Sequence, residues 1–181
     1  MTETLAVIAN RYSCRAFTDT PVDPEKLRHI AQAGIHAPSA RNRQPWRFIV
    51  ISDKSAIEKI DAIGMERLKE FDPAGHSRMM DRGGTMLYNA TALIVIAGEI
   101  LDSPYPVSMD TGIAASHIAL AAASLGVNSC IAAIPLVAFK DETIKATYIP
   151  EGFEFSVAVL LGYAVEPGTP HTVDPDKIIS M

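Results

Sequence analysis

Five consecutive residues near the N-terminus, Arg11-Tyr12-Ser13-Cys14-Arg15, carry the first constellation able to do chemistry. In an extended backbone the side chains alternate, so Arg11, Ser13 and Arg15 share one face. Two guanidinium forks and a hydroxyl on one face form a phosphate receptor through charge-assisted, bidentate bonds. Plain surface charge fits the same residues, and both readings stand on the pattern alone. The second constellation is Pro38-Ser39-Ala40-Arg41-Asn42-Arg43-Gln44-Pro45. Its two prolines are expected to hold the backbone extended, exposing N–H and C=O groups beside the Ser39, Asn42 and Gln44 side chains. Such a loop can read the hydrogen-bonding edge of a planar heterocycle. The alternative is a rigid turn whose polar side chains satisfy their own backbone. Trp46, directly after it, reads as a core anchor at the start of a strand.

The other motifs of catalysis are missing from the sequence. It has no GxGxxG and no GxxxxGK[ST], so it signals neither a Rossmann dinucleotide site nor a P-loop. It has no HExxH and no GxSxG nucleophile elbow. His29, His36, His76, His117 and His171 are too scattered to suggest a metal site. His117 reads as a hydrogen-bonded core histidine and Cys130 as a packed thiol. With no visible nucleophile, an enzyme of this sequence would rely on a bound cofactor to carry its reaction.

These residues must be held by a fold, and the chain is patterned for one. Asp23-Pro24 predicts a helix start, with Asp capping free N–H groups and Pro fitting the first turn. Leu27, Ile30, Ala31 and Ile35 then recur at helical spacing to about His36. The loop 37–45 leads into a strand-like run at 46–52. Lys54 to about Glu70 reads as an amphipathic helix with Ile57, Ile60, Ile63 and Leu68 inward. Residues 71–84, rich in Pro, Gly and charge, read as a mobile connection or a lid, and the candidate lid as a whole spans 64–84. A buried strand is predicted at 91–97. Residues 110–125, DTGIAASHIALAAASL, form a helix apolar most of the way round; it is either the centre of one large domain or a subunit interface. Runs at 128–134 and 155–162 bring the strands to about four, with a short helix at 140–148. The tail 165–181, with three prolines, is a frayed end or an arm laid over a neighbour. The class is α/β or α+β around one small sheet, in a single domain over 1–181.

Composition bounds the function. The 181 residues are 48% hydrophobic and 20% charged, enough for a core and unlike a disordered chain. No stretch approaches the roughly 18 apolar residues of a membrane span, and the start lacks the pattern of a secretion signal. Two unpaired cysteines suit a reducing compartment, so a cytoplasmic protein is expected. The net charge of −5 is unevenly spread. Residues 1–82 hold 13 of the 16 Lys and Arg against 11 acids, a local charge of +2, and residues 83–181 hold 3 against 10, or −7. A pI of about 5.5 argues against nucleic acid as a partner. The early positive charge suits a small anion or an ordinary solvated surface.

Taken in order along the chain, RYSCRAF at 11–17, APSARNRQPWRF at 37–48, NATALIVIA at 89–97, DTGIAASHIALAAASLGVNSC at 110–130 and Leu161-Gly162-Tyr163 resemble the nitroreductase family of FMN-dependent NAD(P)H oxidoreductases. The set covers nearly the whole chain, and 37–48 is its most specific stretch. The resemblance implies an α+β fold with a central mixed sheet flanked by helices, in an intertwined homodimer with two FMN sites at the interface. It implies that Arg11, Ser13 and Arg15, with Tyr12 among them, hold the FMN phosphate and ribityl chain, Arg15 also lying near the ring. Pro38, Ser39, Ala40 and Asn42 of the other subunit would line the isoalloxazine, with Gln44 close by. The helix at 110–125 would be central to the dimer. The segment 131–134 would flank the flavin N5 and O4 edge, with Ala132-Ala133 where glycines are common. Many relatives carry Arg or Lys after the last strand; here 166–173 offers only His171. That predicts weaker FMN binding, with protonated His171 supplying part of the missing charge.

The implied activity is ping-pong transfer of two electrons from NADH or NADPH, through flavin N5, to an electron-poor small-molecule acceptor of nitroaromatic or quinone type. No side chain is expected to be catalytic in its own right. Met65, Leu68, Phe71, Met79 and Met80 are expected to offer the acceptor an adaptable apolar wall. The alternatives are other flavin chemistry on the same fold, such as dehalogenation or flavin fragmentation, and a non-catalytic flavin-binding protein.

Overall fold

The run ALIVIAGE at 92–99 has no polar side chain before Glu99, so a strand made from it must be covered on both faces. The computed structural model, which describes residues 1–102, 104 and 106–179, places it at the interior of a four-stranded sheet. Along the chain run α1 (Glu3–Asn10), α2 (Pro24–Ile35), β1 (Trp46–Ile51), α3 (Lys54–Phe71), α4 (Pro73–Met80), β2 (Ala92–Glu99), α5 (Val107–Ser124), β3 (Asn128–Ala132), α6 (Glu142–Tyr148) and β4 (Phe153–Gly162). Short 3-10 turns occupy Ala40–Asn42, Ile134–Lys140 and Pro175–Lys177. The strand order is β1-β2-β4-β3.

Side-chain alternation along β2 divides the interior in two. Leu93, Val95 and Ala97 join Ala158 and Leu160 of β4 under α3 and the Ile134–Lys140 turn. Ala92, Ile94 and Ile96 join Val159 and Leu161 under α2 and α5. Each such large side chain contributes about 1.5–3 kcal/mol by leaving water. Helices α2 and α5 approach closely because Gly34 has no side chain: a Cβ there would lie 2.9 Å from Ile118. The predicted cap is present, with Asp23 accepting from the N–H groups of Glu25 and Lys26 at 3.0 and 3.1 Å.

Several elements differ from expectation for local reasons. All three strand ladders are antiparallel. The parallel element of the expected mixed sheet is confined to an isolated bridge between Ser13 and Ser129. Helix α1 carried no recognised sequence signal. Helix α5 starts at Val107, three residues before the expected Asp110. Strand β3 ends at Ala132, because the chain turns into a 3-10 helix around Pro135, whose nitrogen cannot donate to a ladder.

The candidate lid is mostly helix. Asp72 accepts the Gly75 N–H at 2.8 Å and Pro73 takes the first position, so α4 forms where a loose connection was expected. Met65 and Leu68 are buried in the core and cannot line a wall for an acceptor. Of the five side chains expected there, Phe71 and Met80 are exposed and Met79 is half-buried. The tail from Val165 to Ile179 is exposed, and Ser180 and Met181 of the expected arm lie outside the described residues.

Asp61 on α3 ties the far end of this segment down, accepting from the N–H groups of Met86 and Leu87 at 3.0 Å each. Burial raises its pKa above the ordinary value of 3.8 in spite of bonds from Thr85, Leu87 and Met86. The folded chain therefore holds this proton more tightly than the unfolded chain. The group's stabilising contribution is complete below the unfolded pKa and is lost as pH rises through the folded one. Asp61→Asn keeps one acceptor oxygen and removes the titration. Its melting temperature relative to the wild type is expected to rise as pH climbs above the ordinary carboxylate value of 3.8; melting curves that stay parallel as pH rises from there would refute the assignment.

Candidate functional site

At the end of α1 the backbone turns extended at Arg11 (φ −63°, ψ 135°) and runs beside β3. The Cys14 N–H donates to the Ser129 carbonyl at 2.9 Å, Phe17 N–H to Tyr88 at 3.2 Å, and Thr18 N–H to Tyr163 at 2.8 Å. Phe17 packs against Gly162, where a Cβ would come within 2.8 Å of its ring. The stretch is thus pinned along its length. Cys14 points into the core, while Arg11, Ser13 and Arg15 keep partial or full exposure. Tyr12 is half-buried and its hydroxyl accepts from Asn128 Nδ2 at 2.9 Å.

Arg11, Ser13 and Arg15 all lie close enough to Cys130, on the edge strand β3, to act on its thiol. Burial pushes the Cys130 thiol up, while the charges of Arg15 and Arg11 and a hydrogen bond with Ser13 pull it back. Cys14 is likewise raised by burial. Both sulfurs stay protonated and packed, so neither is a nucleophile at neutral pH. Neither Arg11 nor Arg15 forms an ion pair among the described residues. Two guanidinium groups near one thiol, without a carboxylate partner among the described residues, are suited to an anion carrying two charges.

The loop 38–45 folds differently from the extended form expected of its prolines. Ala40–Asn42 make a 3-10 turn, and Arg41, Asn42 and Gln44 all take left-handed backbone angles, with φ of 56°, 54° and 52°. Ser39 Oγ accepts the Gln44 N–H at 2.9 Å, and Gln44 Nε2 donates to Asn42 Oδ1 at 3.1 Å. The turn therefore satisfies part of itself, and still presents exposed Pro38, Ala40, Asn42 and Gln44 side chains. Asp110, at the start of α5, accepts the Ala40 N–H at 3.1 Å; sequence reading had placed this residue only as part of a helix. Trp46 is a buried anchor, as expected, with its ring 5.9 Å from that of Phe48.

The structure brings some of these groups together and keeps others apart. Ala132 is buried and Ala133 exposed, two and three residues beyond Cys130, so this segment and the Arg11–Arg15 receptor share one edge. The tail passes the same region, for a Cβ on Gly168 would overlap the Tyr12 ring; His171, three residues on, is exposed. The loop 38–45 lies at the diagonally opposite corner. It precedes β1, and Trp46 pairs with Gly98, whereas Ser129 sits level with Leu161 at the other end of β4. Four inter-strand spacings, about 19 Å, separate the two before any offset along the strands is added. Among the described residues no group of three or more His, Cys, Asp or Glu could hold a metal ion, and no helix is long and apolar enough to cross a membrane.

Comparisons with known proteins place the chain among relatives of the same fold. The sequence model of the nitroreductase family matches residues 8–163. A protein of Archaeoglobus fulgidus, provisionally named NADH dehydrogenase/NAD(P)H nitroreductase, is 33% identical over 98% of this chain and 97% of its own length. Among solved structures, a nitroreductase with bound FMN from Desulfitobacterium hafniense superposes with a TM-score of 0.93 at 40% identity, over 100% of this chain and 99% of that one. Another nitroreductase with bound FMN, from Bacteroides fragilis, gives 0.85 at 25% identity over the whole of both chains.

Proposed function

This chain belongs to the nitroreductase family, and from that premise we propose that it is a homodimeric, FMN-dependent oxidoreductase that takes electrons from NADH or NADPH. The observation that carries the reading is that Arg11, Ser13 and Arg15 all lie near Cys130 on the edge strand β3, the two guanidinium groups having no ion-pair partner among the described residues. That donor set fits a phosphate monoester dianion, the charged end of FMN. When bound, the flavin would supply two-electron redox chemistry between a reduced nicotinamide and a nitroaromatic or quinone acceptor.

The protein's part is to bind and orient. Arg11, Ser13 and Arg15 take the phosphate and the near end of the ribityl chain, with Tyr12 held by Asn128 at their flank. Ala132 and Ala133 lie further along the same edge, within reach of the ring. Asn42 and Gln44 read polar atoms on the ring's rim. A single chain cannot supply both ends, because its own loop 38–45 stands farther off than a five-carbon ribityl chain reaches. A second copy places its loop over the first copy's receptor, and the exposed Gly112 and Ser116 on α5, with the apolar Met109 one turn away, offer a face for that copy to approach. The acceptor then meets an apolar wall reduced to Phe71, Met79 and Met80.

An absorbance spectrum of the purified protein, taken before and after anaerobic NADH and NADPH, tests the reading. A bound flavin that bleaches with either donor is the expected result. Colourless protein that does not take up added FMN would overturn it.

A further inference from the structure

We propose that Asp110 is a positioning residue of the flavin site, acting through the Ala40 N–H to hold the 39–44 turn in the shape that presents Asn42 and Gln44; the inference rests on the flavin reading above. Asp110 is 9% exposed and its Oδ1 accepts from Ala40 at 3.1 Å, across 70 residues of sequence. The turn it holds needs holding. Arg41 and Gln44 adopt left-handed angles, which are unfavourable for side chains of their kind, and they flank Asn42, which tolerates such angles better. Such conformations persist only when surrounding contacts over-determine them, and they gather where a ligand is bound.

The contacts available are few. Within the turn, Ser39 Oγ takes the Gln44 N–H and the Ser39 carbonyl takes the Asn42 N–H at 3.0 Å. Pro45 leaves the turn and its carbonyl accepts the Glu99 N–H at 2.9 Å, fixing the exit. The Asp110 carboxylate is the side chain from outside the turn that grips its first residue. It comes from the first turn of α5, a helix whose Ala114, Ala115 and Ile118 are fully buried, so the grip is anchored in the core. A cavity of about 510 Å³ opens beside the pair, lined by Ala40, Arg41, Arg43, Val107 and Asp110. Loss of the grip leaves the turn free to relax into that space.

Three variants separate positioning from a general structural role. Asp110→Ala removes the acceptor, and Asp110→Asn keeps an acceptor oxygen but no charge. Ala40→Pro removes the donor while leaving α5 intact; Ser39 is already extended (φ −139°, ψ 157°) and residue 40 opens the 3-10 turn, so proline is compatible there. Amide exchange of the peptide 39–45 is read in the flavin-free protein, and FMN affinity by fluorescence titration. Asp110→Ala and Ala40→Pro are expected to speed exchange in the turn and to raise the FMN dissociation constant about tenfold or more, with Asp110→Asn close to the wild type in both. An Asp110→Asn protein as impaired as Asp110→Ala would mean the charge serves only the helix N-terminus, and unchanged exchange in Asp110→Ala and Ala40→Pro would dismiss the grip; either overturns the proposal. Wild-type protein that does not bind FMN would instead sink the flavin reading, while the exchange arm still decides whether Asp110 holds the turn.

Discussion

Replacing both Arg11 and Arg15 with alanine is expected to raise the FMN dissociation constant by about 10²–10⁴, since each lost charge-assisted bond is worth about 1.5–3 kcal/mol. The folded protein without flavin is not expected to suffer. Neither arginine is paired with a carboxylate among the described residues, and both lie close enough to act on Cys130 from one side. Two unpaired positive charges facing the same spot repel, so removing them leaves the apo-protein at least as stable as before. This split between affinity and stability distinguishes a receptor from ordinary surface charge, the other reading open at the level of sequence. Flavin titration and melting of the apo-protein are the two measurements. An affinity change smaller than about threefold would return Arg11 and Arg15 to the solvated surface, because even one such bond accounts for more. Raising salt should weaken wild-type binding more than variant binding, since part of the attraction is screened.

The extended stretch that carries Arg11, Ser13 and Arg15 was legible because its logic is local. Alternation in an extended stretch puts Arg11, Ser13 and Arg15 on one face whatever else the chain does, and the structure needed only to supply the extension, through β3. The α2 cap at Asp23-Pro24 and the buried strand at 92–99 were readable for the same reason. The turn at 38–45 was not. Two prolines argue locally for extension, but an acceptor 70 residues away and the fixed exit at Pro45 override them, and no pattern in RNRQ announces three left-handed residues. Residues 71–84 failed in another way: Pro and Gly read as breakers, yet Asp72-Pro73 is itself a helix start, and the following AGHSRMM has too little apolar periodicity to reveal α4. Leu68 already falls on the inward stripe of the helix expected from Lys54 to about Glu70, and α3 continues through both Met65 and Leu68 and turns them into the core rather than towards an acceptor.

The separation of the two corners of the sheet makes a stronger demand than any single substitution. If each flavin lies on the receptor of one chain under the turn of another, a chain lacking Arg11 and Arg15 and a chain lacking the Asn42 and Gln44 side chains should each be inactive alone. Refolded together, they form mixed dimers in which one site has neither defect and the other has both. A two-fold interface places the same patch of each copy against the other, so intact sites arise only in mixed pairs. Random pairing makes half the dimers mixed with one good site in each, and the mixture should recover about a quarter of wild-type NADH oxidation per chain. A site built within one chain gives no recovery at any ratio, because every chain then keeps its own defect. Recovery that follows the product of the two chain fractions, peaking at equal amounts, identifies pairing rather than refolding as its source. Recovery does not depend on the acceptor: it reports only whether Arg11 and Asn42 of one working site come from the same polypeptide, and the sheet sets them too far apart for that.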